Sequence, residues 1–265
     1  MGRLAAAGVP CQVAVPSRDG REVIDAGGPD RAMLVRLLTW LPGRPLATIP
    51  PAERDDALLA DLGRTMALVV RALDGWDHPA AHRSFQWSAE ESLGVIAAHA
   101  AAVVGPTRAG LLSAWQARLA AVAERLPELP HGVIHNDAND HNVLVADDGR
   151  SISGLLDLGD SIWSVVLNDV AVAAAYAALD APDPIAVIAA VARGWDGVLP
   201  LGPADRELLP ELIALRLATS VSLSAHQARL DPDDPYLTIS ERPAWALLDR
   251  LARIEPGEIA SGLPG

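Results

Sequence analysis

The residues best suited to chemistry lie in a polar stretch near the middle of the chain. Within it, two short apolar runs, Val143 to Val145 and Ile152 to Leu156, flank Asp148-Gly149. An Asp-Gly pair between two such runs predicts an antiparallel hairpin with a tight turn. Asn142 precedes the first run and Asp157 follows the second, so the hairpin would bring both side chains to one end.

That juxtaposition has a chemical meaning. The amide oxygen of Asn142 and the carboxylate of Asp157 are hard oxygen ligands, which Mg²⁺ prefers when it also carries substrate phosphates. Asp137 lies five residues before Asn142. We expect it to lie near the metal without binding it, where its carboxylate could accept a proton from a hydroxyl group.

A longer motif surrounds these residues. His135-Asn136-Asp137, then Asn142, then the run from Leu155 to Asp160, resembles the catalytic loop and metal-binding segment of the aminoglycoside and choline kinase-like phosphotransferases. Within that family, residues 137–142 most resemble the hydroxylysine kinase type, including the copies fused to class III aminotransferases. The resemblance runs from about residue 10 to the C-terminus. It implies an α+β, protein kinase-like fold with a truncated N-terminal β lobe and a mainly α-helical C-terminal lobe.

The resemblance also assigns roles to single residues. It implies that Asp137 is the catalytic base, that Asn142 and Asp157 bind Mg²⁺, and that ATP or GTP is the phosphoryl donor. Asp169 matches a position that steadies the catalytic loop. We expect His135 to support the same loop through a backbone hydrogen bond, because this kind of transfer needs only one base.

The order of strand, break and helix around residues 37–46 resembles the hinge between the two lobes. The resemblance therefore places nucleotide contacts at this point of the chain, and the side chain of Trp40 is a candidate to lie against the base. The predicted hinge contacts are Leu38, Thr39, Trp40 and Leu41.

The implied acceptor is a small molecule with an amine and a hydroxyl group, 5-hydroxylysine in the first place and an aminoglycoside as the alternative. A net charge of −13 is compatible with a cationic acceptor. The segment Pro232 to Pro243 is polar and could contact the acceptor or be a solvated loop. Candidate acceptor contacts are Asn139, Asp140, Asp160, which could also assist the metal, and Glu241, with Asp233 and Asp234 as further polar residues of that segment.

The part of the family's pattern that binds the phosphoryl donor is less complete in this chain. All 21 basic residues are arginine, and the chain contains no lysine. The family holds its nucleotide with a glycine-rich loop and a lysine, and neither is found here. We therefore expect the 265-residue chain to be a weak or inactive enzyme through N-terminal truncation. The alternative is a non-catalytic kinase-like fragment or module of a larger fused protein. Exposed strand edges would favour self-association, or contact with a fused or partner aminotransferase.

The remaining patterns place these residues on elements. Residues 12–15, 22–24 and 33–38 read as strands of a small antiparallel sheet. A break near Pro42 divides a partial N-terminal lobe, residues 1–42, from a helical lobe, residues 43–265, that carries the catalytic loop and metal site. Apolar spacing and capping residues predict helices beginning near Pro50 and ending near Leu73, and over Ser88 to Val104, Pro106 to Leu126 and Ser164 to Leu179.

Composition excludes several classes of protein. With 34 acidic against 21 basic residues, a nucleic-acid partner is not expected. The longest purely apolar run, Val170 to Leu179, is shorter than the ~18–20 residues that span a bilayer, so no membrane insertion is expected. The single cysteine, Cys11, excludes an internal disulfide and favours a cytoplasmic location.

Overall fold

The computed structural model describes residues 1–28, 31 and 33–263. The antiparallel pairing predicted near the N-terminus is confirmed, but the single small sheet is wrong, since Ala14–Val15 pairs with Leu37–Leu38 and Ile24–Asp25 with Leu34–Val35 in two separate two-stranded sheets. The strands are shorter than the predicted runs, and the last run is divided at Arg36. The last two residues of the predicted helical lobe lie outside the described part of the chain. The elements here are α1 (Gly2–Ala6), β1 (Ala14–Val15), β2 (Ile24–Asp25), β3 (Leu34–Val35) and β4 (Leu37–Leu38).

These four strands stand beside the helical body and are not inserted into it. Leu34, Leu37 and Trp40 are 72%, 66% and 92% exposed. Two residues of the segment before these strands differ, because Leu4 and Cys11 are buried in the hydrophobic core. The division near Pro42 stays a prediction.

The helical body is built around one long helix. It packs against α3, α4, α5, α8 and α9, whereas α2 packs mainly on α6. The predicted inward faces at Leu58 to Leu73 and Leu112 to Val122 are confirmed as buried. The helices are α2 (Asp56–Leu73), α3 (Ser92–His99), α4 (Pro106–Arg125), α5 (Leu167–Ala177), α6 (Pro184–Asp196), the central α7 (Pro203–Leu230), α8 (Glu241–Ala252) and α9 (Pro256–Ser261).

Three predicted helices begin later than expected. The helix predicted from near Pro50 begins at Asp56, because Pro51–Glu53 form a separate 3-10 turn before it. The helix predicted from Ser164 begins at Leu167, because residues 162–165 pair as a strand with residues 131–134. An apolar run alone does not distinguish a strand from a buried helix, and tertiary pairing decides. The helix predicted from Ser88 begins at Ser92. The Ser88 hydroxyl instead accepts the backbone N–H of Glu91 at 3.2 Å, in the turn that precedes the helix.

Two small sheets sit at the edge of the helical body and carry the polar stretch. One has the order β5-β7-β8 and contains the predicted hairpin, and the other pairs β6 with β9; both are antiparallel. The N-terminal segment is hydrogen-bonded to the first of these sheets, because the Leu155 N–H donates to the carbonyl oxygen of Pro10 at 2.8 Å. The strands are β5 (Arg44–Pro45), β6 (His131–Ile134), β7 (Val143–Val145), β8 (Ile152–Leu155) and β9 (Ile162–Val165).

Helix α7 is long and apolar enough to cross a membrane by length and composition, and it alone passes that test in the described residues. Within its most apolar window, 89% of the residues are buried inside the protein. Five helices, α3, α4, α5, α8 and α9, pack against α7, so packing in the core accounts for its composition.

Helices α2 and α6 cross so closely that each needs a glycine at the crossing. A Cβ at Gly63 would overlap the carbonyl oxygen of Val191, and one at Gly194 would overlap the carbonyl oxygen of Ala60. Backbone atoms of two packed helices cannot shift as the end of a flexible side chain can. The crossing therefore depends on both glycines.

We expect Gly63→Ala to lower the free energy of unfolding by about 2–3 kcal/mol or more, at the upper end of overpacking effects. Gly110→Ala is the matched control, because Gly110 is an exposed residue of α4 with open space around its Cα. That change should stabilise the protein by up to ~1 kcal/mol through helix propensity. Urea unfolding of both variants measures the difference, and equal stabilities would contradict the close crossing.

Candidate active site

The hairpin brings together the two residues that flank it. Val143 pairs with Leu155, and the Leu156 N–H donates to the Asn142 carbonyl oxygen at 2.8 Å. Asp157 follows directly and has a left-handed backbone, with φ of 54°. The side chains of Asn142 and Asp157 therefore leave the sheet at the same end, as the Asp-Gly turn predicts.

Asp137 lies in the loop between β6 and β7 and contacts the same end. The Asn142 side-chain amide donates to the Asp137 Oδ2 at 2.7 Å and to its backbone oxygen at 2.9 Å. The Asn139 amide donates to the same Oδ2 at 2.9 Å. Because the Asn142 NH₂ faces Asp137, the Asn142 Oδ1 is the atom left to bind a cation.

Three carboxylates converge beside Asn142. Asp137, Asp157 and Asp160 each offer an oxygen within 4.8 Å of the others. Burial, and then the neighbouring charges of Asp137 and Asp157, raise the pKa of Asp160 above its ordinary value. A divalent cation would relieve this repulsion, and hard oxygen donors are the ligands that Mg²⁺ requires. The donor set therefore fits Mg²⁺.

The catalytic loop is held by a buried carboxylate. Asp169, at the start of α5 and fully buried, accepts the backbone N–H of His135 at 3.1 Å and that of Asn136 at 2.8 Å. Burial raises the pKa of Asp169, while His135 and the two N–H groups oppose that shift. Asn136 has φ of 68°, which turns the chain sharply toward Asp137.

His135 ties the loop to the hairpin. Its Nδ1 accepts the Asp137 N–H at 3.2 Å, and its Nε2 is 2.9 Å from the carbonyl oxygen of Leu156. A neutral imidazole protonated on Nε2 satisfies both contacts. Neither His135 nor Asp169 belongs to the described residues that line the neighbouring cavity.

That cavity, of about 210 Å³, opens beside Asp137. Its wall includes the four residues predicted to contact an acceptor, whereas Asp233 and Asp234 are not among the described lining residues. Asp140 has a buried Oδ1 without a hydrogen-bond partner among the described residues. The four predicted residues are Asn139, Asp140, Asp160 and Glu241.

Three further cavity residues were missed by sequence reasoning. Arg216 of α7 donates to the Asp137 Oδ1 at 2.6 Å, and its guanidinium carbon lies 4.4 Å from the Trp87 ring centroid and 5.5 Å from that of Tyr176. One signal was available for Arg216, since it interrupts an apolar helical run between Leu215 and Leu217. A lone charge in such a run is expected to have a buried partner.

The predicted hinge lies apart from this cavity. Leu38 is in β4, and Thr39 pairs with Val13 through its backbone N–H, at 2.9 Å, and through its hydroxyl, at 3.1 Å. The Leu41 side chain packs over Gly154 of β8. None of the four hinge residues is among the described lining residues, and their contact with a nucleotide stays a prediction.

Comparisons with known proteins show which family this chain belongs to. A model of the phosphotransferase enzyme family matches residues 1–210. The hydroxylysine kinase of Danio rerio is 30% identical over 268 residues, covering 95% of this chain and 74% of that protein. The hydroxylysine kinase of Bos taurus is 30% identical over 241 residues, covering 86% of this chain and 63% of that protein.

A solved structure shares the fold. The microcompartment-associated aminopropanol kinase superposes with a TM-score of 0.68 and 21% identity, covering 95% of this chain and 79% of that one. The two-lobe, kinase-like α+β fold predicted from the motif is thereby confirmed.

We expect Asp169→Asn to lower the free energy of unfolding by about 1–3 kcal/mol, because the amide has one acceptor oxygen for two buried N–H groups. Asp183→Asn is the matched control, since Asp183 caps α6 at the surface and asparagine caps a helix equally well. Urea unfolding measures both. A loss at Asp169 no larger than at Asp183 would show that the carboxylate does not hold the loop.

Proposed function

Because the chain belongs to the phosphotransferase enzyme family, as a kinase that acts on a hydroxyl group of a small molecule, we propose that it transfers the γ-phosphate of ATP or GTP to 5-hydroxylysine. The observation that carries the proposal is the meeting of Asp137, Asn142 and Asp157 beside an acidic cavity. A base, hard oxygen ligands and room for a small acceptor are the parts that such a transfer needs.

In the proposed reaction, Asp137 orients the acceptor hydroxyl and takes its proton. As the hydroxyl oxygen bonds to the γ-phosphorus, the bond from that phosphorus to the β,γ-bridging oxygen breaks, and the nucleoside diphosphate leaves. The transition state is largely dissociative, so the position of the carboxylate matters more than its basicity.

The metal site is proposed at the end of the hairpin. Asn142 Oδ1 and Asp157 would hold Mg²⁺, with Asp160 beside them. When bound, Mg²⁺ offsets the negative charge of the donor's phosphate oxygens. The backbone hydrogen bond between Leu156 and Asn142 fixes the spacing of the two ligands before any cation binds.

The cavity wall favours a cationic acceptor. Asp140 and Asp160 supply carboxylates that can face an ammonium group, and Glu241, which pairs with Arg108 at 2.6 Å, adds a third negative charge. A volume of about 210 Å³ is below the ~300–1,000 Å³ of sites for drug-sized ligands. This supports an acceptor of amino-acid size over an aminoglycoside, which remains the second candidate. The names of the relatives, hydroxylysine kinase, support the same choice.

Single substitutions separate the two proposed roles. Asp157→Ala should abolish Mg²⁺-dependent nucleotide binding, because it removes a metal ligand. Asp137→Asn should leave nucleotide affinity within about threefold and lower kcat by ~10²-fold or more, as for loss of a general base. Calorimetry and steady-state kinetics measure the two effects. Near-normal turnover by Asp137→Asn would show that Asp137 is not the base.

The acceptor is tested with a panel of 5-hydroxylysine, choline, homoserine and kanamycin, each with ATP and with GTP. We expect the highest kcat/KM for 5-hydroxylysine, because the acidic wall matches its ammonium groups. Phosphate transfer is followed by mass spectrometry of the acceptor. Phosphorylation of kanamycin alone would replace hydroxylysine by an aminoglycoside as the substrate.

A further inference from the structure

Arg216 is a buried cation with an uncommon environment. It is 5% exposed, and its guanidinium carbon lies 4.4 Å from the ring centroid of Trp87 and 5.5 Å from that of Tyr176. Its Nη2 donates to Asp137 at 2.6 Å and its Nη1 to the Asn136 carbonyl oxygen at 3.4 Å. A buried charge is costly unless it is paired, so the ion pair with Asp137 is what keeps Arg216 in this position.

Because of this contact, the two carboxylate oxygens of Asp137 accept hydrogen bonds from different partners. Oδ2 accepts two amide groups, from Asn139 and Asn142. Oδ1 accepts from Arg216. Each carboxylate oxygen has two lone pairs, so Oδ1 has room for one more donor. Asp137 and Arg216 both line the cavity, and a hydroxyl group there can supply that donor.

We propose that Arg216 is a positioning residue for phosphoryl transfer: it fixes the Asp137 carboxylate so that Oδ1 faces the acceptor hydroxyl. This inference rests on the proposed role of Asp137 as the base. Burial and the contacts with the rings of Trp87 and Tyr176 restrict the guanidinium, so its planar fork has little freedom to turn. The orientation of Asp137 is thereby set by a residue of α7, which contacts Oδ1, together with Asn142 before the hairpin, which contacts Oδ2.

The proposal predicts where the loss appears when Arg216 is changed. Without the guanidinium, the Asp137 carboxylate can turn about its Cβ–Cγ bond toward the two amides, and Oδ1 leaves the acceptor. Misplacement of a reacting group by about 1 Å can cost ~10²-fold in rate. The donor phosphates are held by the metal ligands on the hairpin, so nucleotide affinity should change little.

The chain contains a matched control pair. Arg118 of α4 donates to both carboxylate oxygens of Glu211 on α7, at 2.6–3.1 Å, and lies 4.6 Å from the Trp115 ring centroid. It is thus also an arginine that stacks on a tryptophan and links α7 to another element. Neither Arg118 nor Glu211 is among the described residues that line the acceptor cavity.

The kinetic experiment compares Arg216→Gln and Arg216→Lys with Arg118→Gln and Arg118→Lys, with the best acceptor of the panel. We expect both Arg216 variants to lower kcat, by about 10²-fold for glutamine and at least tenfold for lysine, which lacks the planar fork, while KM for the nucleotide stays within about threefold. The Arg118 variants should keep near-normal kcat. Losses of kcat that are equal at the two positions would overturn the proposal, as would a change confined to KM.

A second measurement is independent of any acceptor. In a crystal structure of Arg216→Lys, we expect the Asp137 carboxylate to turn so that Oδ1 no longer faces the cavity, while Asn142 keeps its place. An unchanged carboxylate orientation would overturn the proposal. If the wild-type chain phosphorylates no acceptor of the panel but the carboxylate turns, then the orientation of Asp137 by Arg216 stands, whereas either the proposed acceptor or the capacity of this chain to hold the donor has failed.

Discussion

The buried carboxylate of Asp169 is the constraint on which the site depends. It accepts two consecutive backbone N–H groups, of His135 and Asn136, where the chain leaves β6. These groups would otherwise be buried without partners, which costs about 1–3 kcal/mol each. The same turn aims Asp137 at the hairpin. Helix α5, which carries Asp169, is buried along its whole length. The packing of the core therefore fixes the position of the Asp169 carboxylate.

Charge is distributed unevenly around that anchor. Three carboxylates share one end of the hairpin, and burial, together with the charges of Asp137 and Asp157, raises the pKa of Asp160. Arg216 offsets one of these charges from within the helical body. A cation between Asn142 and Asp157 would offset the others. The site is therefore organised to receive positive charge on the hairpin side and to hold its base from the α7 side.

Local sequence patterns predict much of the site and of the helix packing. The Asp148-Gly149 turn predicts the pairing of Val143 with Leu155, and with it the adjacency of Asn142 and Asp157, because a hairpin fixes its own register. The apolar spacing of α2 and α4 predicts their buried faces, because helical periodicity reports which side meets the core. The predicted helix start near Ser164 was wrong, since periodicity does not show where a strand partner intervenes. The starts near Pro50 and Ser88 were wrong because a turn precedes each of those helices.

The sequence by itself determined the motif, the hairpin and the faces of the helices, because each depends on residues close together in the chain. Only the tertiary structure decided that β6 pairs with β9, that Gly63 and Gly194 let two helices cross, and that Arg216 meets Asp137 across 79 residues. These contacts depend on how whole helices pack. A sequence pattern shows that a residue is buried or charged, but the partner of that residue is chosen by the packing of elements distant in the chain.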